Sequence, residues 1–130
     1  MPSHLTPEVA QNRLVPEDSG VYFVRSEQCG LIKIGKSTQI AQRVFDLRMQ
    51  NAGPVDLIAT RLDDDPAWVE RIYHVWFAAA RDHGEWFRIS VDQVSHAVIN
   101  FDEIEEHVVN STPNLYNPGM SYRRHGILTQ

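Results

Sequence analysis

Two short runs rich in β-branched and aromatic residues, Gly20-Val21-Tyr22-Phe23-Val24-Arg25 and Leu31-Ile32-Lys33-Ile34, stand five residues apart. Their connection, Ser26-Glu27-Gln28-Cys29-Gly30, has the length of a hairpin loop and ends in Gly, as such loops often do. The pair predicts two antiparallel strands, and the rest of the chain must be built around that hairpin. A helix follows: Ser37 or Thr38 can cap it, Ile40, Val44 and Leu47 share one stripe, and Asn51-Ala52-Gly53-Pro54 ends it. Val55 to Leu62 is a third strand candidate. Asp63-Asp64-Asp65-Pro66 opens a second helix, with acids at the positive end of its dipole and Pro at its first position. This helix is expected to run to about Asp82 and to stop near Gly84. Glu85-Trp86-Phe87-Arg88-Ile89 reads as a short strand. Ser90 with Gln93 forms a capping box for a third helix carrying Val91, Val94, Val98, Phe101, Ile104 and Val108.

The expected class is α/β in the broad sense (α+β), a small sheet covered by helices in one domain. Pro2, Pro7 and Pro16 make residues 1–19 a lead-in segment; 20–90 form the core, 91–109 a C-terminal helix packed on it, and 110–130 an irregular tail. The 130 residues suffice for one core without staples, since a chain of this size removes roughly 65–70% of its unfolded surface from water. With 42% hydrophobic and 22% charged residues, it is neither disordered nor a coiled coil. Cys29 is the only cysteine, which excludes an internal disulfide framework and a multi-cysteine zinc site. No apolar run approaches the roughly 20 residues that span a bilayer, and MPSHLTPEVAQNR lacks the apolar stretch of a signal peptide. A soluble, cytoplasmic protein with no membrane partner is expected. Seventeen acids against twelve bases give a net charge of −5, which argues against wholesale wrapping of nucleic acid. Between Gly20 and Gln50, however, five bases face two acids, so a polyanion would be expected to bind there.

On the second helix Glu70, His74, Phe77 and Arg81 share the face opposite Trp68, Ile72, Val75, Trp76 and Ala79. Solvation is the ordinary explanation of such a face, and Phe77 is its oddity. A carboxylate and an imidazole one turn apart could instead hold or flank a metal ion. Arg43 lies at the edge of the first helix's buried seam, within reach of the hairpin, although edge arginines usually just extend to water. Lys33 is a charge inside an apolar strand, where it could simply reach water from an edge. Gly35 then permits close backbone approach, and Lys36 and Ser37 are placed at a helix N-terminus, which favours an anion such as phosphate. The patterns G-x-x-x-x-G-K and G-x-S-x-G are both absent. His4, His83, His96, His107 and His125 share no ligand spacing and read as structural or surface residues. The basic cluster Ser121-Tyr122-Arg123-Arg124-His125 reads as part of a loose C-terminus.

Taken in order, these segments resemble the GIY-YIG nuclease superfamily, and more narrowly its phage-associated branch with a GEWF signature. The residues that carry the resemblance are Gly20-Val21-Tyr22, Lys33-Ile34-Gly35 with Lys36-Ser37, Arg43, Glu70 with His74 and Phe77, and Arg81-x-x-Gly84-Glu85-Trp86-Phe87. The resemblance implies a three-stranded antiparallel sheet flanked by helices, with the helix of 91–109 as an addition. It implies a metal-dependent endonuclease that hydrolyses DNA phosphodiester bonds. Tyr22, Lys33, Arg43, His74 and Glu70 would surround the scissile phosphate, with Lys36, Ser37 and Arg81 binding substrate. Glu70 would be the single ligand of one Mg²⁺ or Mn²⁺, Tyr22 would deprotonate or position the attacking water, and Arg43 would stabilise phosphate charge. Lys33 stands where most relatives place a second tyrosine, with proton transfer and phosphate binding both open as its role. Leu47 stands where some members carry His or Tyr. With so little chain beyond the core, a homodimer or a partner protein would supply specificity, unless cleavage has little sequence preference. A catalytically inactive nucleic-acid-binding or regulatory protein-interaction module on the same fold is the alternative.

Overall fold

β1 (Gly20–Ser26) and β2 (Ile32–Ser37) form the expected hairpin, in register from Gly20↔Ser37 to Arg25↔Ile32. The structure, a computed structural model, describes residues 14–50 and 53–115. Most of the lead-in segment and of the tail, including the cluster around Arg123, therefore lies outside the described residues. β3 (Val55–Leu62) pairs antiparallel with the other edge of β1, with a bulge opposite Phe23 and Val24. β4 (Arg81–His83) and β5 (Trp86–Phe87) make a second hairpin, which joins β2 through Ile32↔Phe87 and Lys33↔Trp86.

Among the described residues the sheet thus has five antiparallel strands in the order β3-β1-β2-β5-β4, with four α-helices, where three strands were expected. β4 is unreadable from composition because Arg81-Asp82-His83 has no apolar or β-branched residue and is exposed throughout. Pairing with β5 makes it a strand, helped by Asp82, which binds the His83 ring at 2.5 Å and Arg88 at 2.7 Å.

Alternation divides the strand side chains between two faces. Val21, Phe23, Ile32, Ile34 and Ala59 enter the larger core, with α2 (Pro66–Trp76), α3 (Val91–Ile99) and α4 (Phe101–Ser111). Tyr22, Val24, Val55 and Leu57 meet α1 (Ile40–Gln50), which buries Ile40, Val44 and Leu47 as their spacing predicts. An edge-to-face chain, Phe23–Tyr73–Phe101, with centroids 5.2 and 5.4 Å apart, ties β1 to α2 and α4. Each such aromatic contributes on the order of 2–3 kcal/mol by burial. The buried Tyr73 hydroxyl donates to the Ala97 carbonyl at 2.9 Å, so that hydroxyl is not left unpaired in the core.

Three helix boundaries differ from the sequence reading. α2 ends at Trp76 rather than near Asp82, although Ala78-Ala79-Ala80 has high helix propensity. Phe77 turns inward and is buried, the alanines close a 3₁₀ turn, and the chain is then free to form β4. The buried face of α2 is accordingly Trp68, Val69, Ile72 and Tyr73, while Trp76 stays 38% exposed. The expected C-terminal helix is two helices, broken at Asn100, whose amide side chain donates to the His96 carbonyl at 2.9 Å in competition with the backbone. The Ser90–Gln93 capping box forms as read. Lys36 and Ser37 end a strand and do not open a helix; Ser37 Oγ accepts the Gln39 N–H at 2.8 Å in the turn before α1. Among the described residues no helix is long and apolar enough to cross a membrane.

Candidate active site

β5 covers only Ile32 and Lys33 of β2, and the groups of interest gather where that pairing stops. At Ile34 the N–H donates to the Glu85 carbonyl and the carbonyl accepts from His74 Nε2, both at 2.9 Å. The carbonyl can only accept, so the Nε2 of His74 carries the proton, which leaves Nδ1 as the ring nitrogen available to a ligand. The ring also packs edge-on to Phe87, with centroids 5.0 Å apart. His74 therefore locks α2 against this edge and brings Glu70, one turn earlier, alongside it.

Glu70 is the most constrained charge of the group. Its side chain is 12% exposed, and Oε1 lies 3.5 Å from Lys36 Nζ. Oε2 is buried and has no hydrogen-bond partner among the described residues. Burial, and then the nearby Glu85 carboxylate, push the Glu70 carboxyl above its ordinary range, against the pull of His74 and Lys36.

From the other face of the sheet comes Tyr22. Its ring lies across Gly35, its cross-strand partner, where any Cβ would collide with the phenol carbon and oxygen. Burial raises the phenol above its usual value, and this outweighs the hydrogen bond and charge of Arg43, which reaches it from α1. Tyr22 is 1% exposed. Gly20, with φ +151°, also admits no side chain, because a Cβ would strike the Arg61 carbonyl.

Lys33 shares the Tyr22 face. Its Nζ sits 3.0 Å from Glu85 and 5.7 Å from the centre of the Trp86 ring. Burial alone would raise the Glu85 carboxyl, but the bond and charge of Lys33, with His74 and Lys36, bring it below its ordinary value.

A recess of about 490 Å³ opens beside α2, lined by Lys36, Glu70, Arg71, His74 and Arg81. One carboxylate in a ring of bases is an arrangement that can hold a phosphate and a cation together. Arg81 reaches this recess from the start of β4 and not from the helix that the spacing implied. Among the described residues no three His, Cys, Asp or Glu side chains converge into a metal cage.

A family model for the T5orf172 domain matches residues 19–102. The chain belongs to this family. The T5orf172 domain is phage-associated and related to nucleases, which gives the cluster a DNA-related setting. The match runs from the residue before β1 into the first turn of α4, so it holds every group described above. No curated protein and no solved structure matches the chain.

Within the T5orf172 domain, then, the structure brings together Tyr22 with Arg43, Glu70 with Lys36 and His74, and Lys33 with Glu85. Ser37 stands apart, since its hydroxyl serves the β2–α1 turn. Glu85 is the member of the cluster to which sequence reasoning assigns no role. Its signal was a carboxylate next to Trp86 in a short strand, but only the pairing of β5 on β2 sets it against Lys33.

Proposed function

We propose that this chain is a metal-dependent endonuclease that hydrolyses DNA phosphodiester bonds at a GIY-YIG-type site holding one divalent cation. The observation that carries this reading is Glu70 Oε2, a buried carboxylate oxygen without a donor beside a recess rimmed by bases. An anionic oxygen in that state fits a hard cation, and Mg²⁺ or Mn²⁺ retains waters and phosphate oxygens when a protein supplies one carboxylate. When bound there, the cation supplies Lewis-acid neutralisation of phosphate charge.

The chain's own residues do the rest. Tyr22 keeps its proton at neutral pH, since burial raises it, and so acts by orienting the attacking water through its hydroxyl. Arg43 donates to that hydroxyl and directs its remaining N–H groups at the scissile phosphate. Lys36 and Arg81 bind flanking phosphates at the rim, and the unprotonated Nδ1 of His74 can accept a hydrogen bond from a water. Lys33 contributes a fixed positive charge.

The test is cleavage of supercoiled plasmid and labelled single-stranded DNA, with Mg²⁺, Mn²⁺ or chelator, by wild type and Glu70→Ala. Metal-dependent nicking that disappears in the variant supports the reading; a folded wild type that cuts neither substrate contradicts it. One observation favours the other reading, a nucleic-acid-binding module without turnover. Lys36 already neutralises part of the Glu70 charge at 3.5 Å.

A further inference from the structure

We propose that Glu85 is the positioning residue for Lys33, holding its ammonium beside Tyr22 at the reacting phosphate; this rests on the nuclease reading above. Lys33 and Gly35 lie on one face of β2, and Gly35 is the partner of Tyr22, so Lys33 and Tyr22 are diagonal neighbours across the hairpin. Lys33 is 13% exposed and does not line the recess, so a contact on the Tyr22 side decides where its charge sits. That contact is Glu85 at 3.0 Å, with the ring of the next residue, Trp86, 5.7 Å away.

The backbone ties the same residue down. The Glu85 carbonyl accepts the Ile34 N–H at 2.9 Å, so Glu85 engages two consecutive residues of β2, one by side chain and one by main chain. A lysine has a long flexible stem, and without this anchor its head would sample many positions. The two acids of the site therefore divide the work. Glu70 keeps an oxygen without a donor, whereas Glu85 already has Lys33.

The full chain is compared as wild type, Glu85→Gln, Glu85→Asp, Lys33→Met and the Glu85→Gln/Lys33→Met double variant. Plasmid nicking gives kcat and KM, Mn²⁺ titration gives metal affinity, and a thermal melt checks folding. Glu85→Gln is expected to lower kcat on the order of 100-fold, with KM and Mn²⁺ affinity close to wild type. Glu85→Asp, which keeps the charge, should recover part of the rate, and the double variant should be no slower than Lys33→Met alone. Wild-type nicking by Glu85→Gln overturns the proposal, as does Glu85→Asp no faster than Glu85→Gln. Loss of Mn²⁺ affinity in Glu85→Gln also overturns it, by making Glu85 a metal ligand. A wild type that cuts nothing removes the nuclease reading and this inference with it; an active wild type with an unimpaired Glu85→Gln removes this inference alone.

Discussion

Glu70 is more useful to a ligand than to the fold. Burial and Glu85 raise its carboxyl above the unfolded value, so the folded chain binds that proton more tightly than the unfolded chain does. The resulting stability is fully present below the unfolded carboxyl pKa and is lost as pH rises through the raised folded value. At neutral pH the ionised side chain is a liability, and Glu70→Gln should raise Tm by about 3–6 °C at pH 7. The difference should vanish when the wild-type carboxyl is protonated, and melts at pH 7 and pH 4 check both points. A variant that is less stable than wild type at pH 7 contradicts the electrostatics described here. Tyr22 makes the opposite case, because its ring packs in the α1 core and, in the proposed nuclease, only its hydroxyl would serve the chemistry. Tyr22→Phe should fold normally yet nick on the order of 100-fold more slowly, measured as kcat under saturating DNA.

At the scale of elements, the β1–β2 hairpin carries the site through one absent side chain. Gly35→Ala puts a methyl group where the Tyr22 ring lies, and the tyrosine must leave or the strands must part. The expected cost is about 1–3 kcal/mol in urea unfolding, together with loss of nicking. A Gly35→Ala chain as stable and active as wild type would show that the ring does not sit there. The hairpin, β3 and the buried stripe of α1 were legible in the sequence because each follows from a local rule of spacing, alternation or capping. The end of α2, β4 and the break at Asn100 were not. None follows a spacing or capping rule: Phe77 turns into the core, Arg81-Asp82-His83 becomes a strand only by pairing with β5, and the Asn100 amide turns back onto the His96 carbonyl four residues earlier. The same divide runs through the site. Glu70 and His74 emerged from helical spacing, but the Lys33–Glu85 pair depends on a strand addition that no periodicity announces.

Over the whole molecule a net charge of −5 must coexist with the polyanion site proposed above. The structure reconciles the two by gathering Lys36, Arg71 and Arg81 on one rim, with Arg71 partly committed to the Leu115 carbonyl at 3.1 Å. DNA binding should therefore weaken steeply with salt, and Lys36→Ala or Arg81→Ala should each reduce the slope of log affinity against log salt by about 1. Unchanged slopes in both variants would move the DNA to another face.

The role proposed for Glu70 is tested by reading binding and cleavage on the same samples of wild type and Glu70→Gln, with Mn²⁺ present. If Glu70 holds the cation, Glu70→Gln binds DNA in the wild-type range and leaves the plasmid supercoiled while wild type nicks it. Nicking by Glu70→Gln at the wild-type rate, or a wild type that binds DNA and never cuts it, would rule out a Glu70-dependent nuclease.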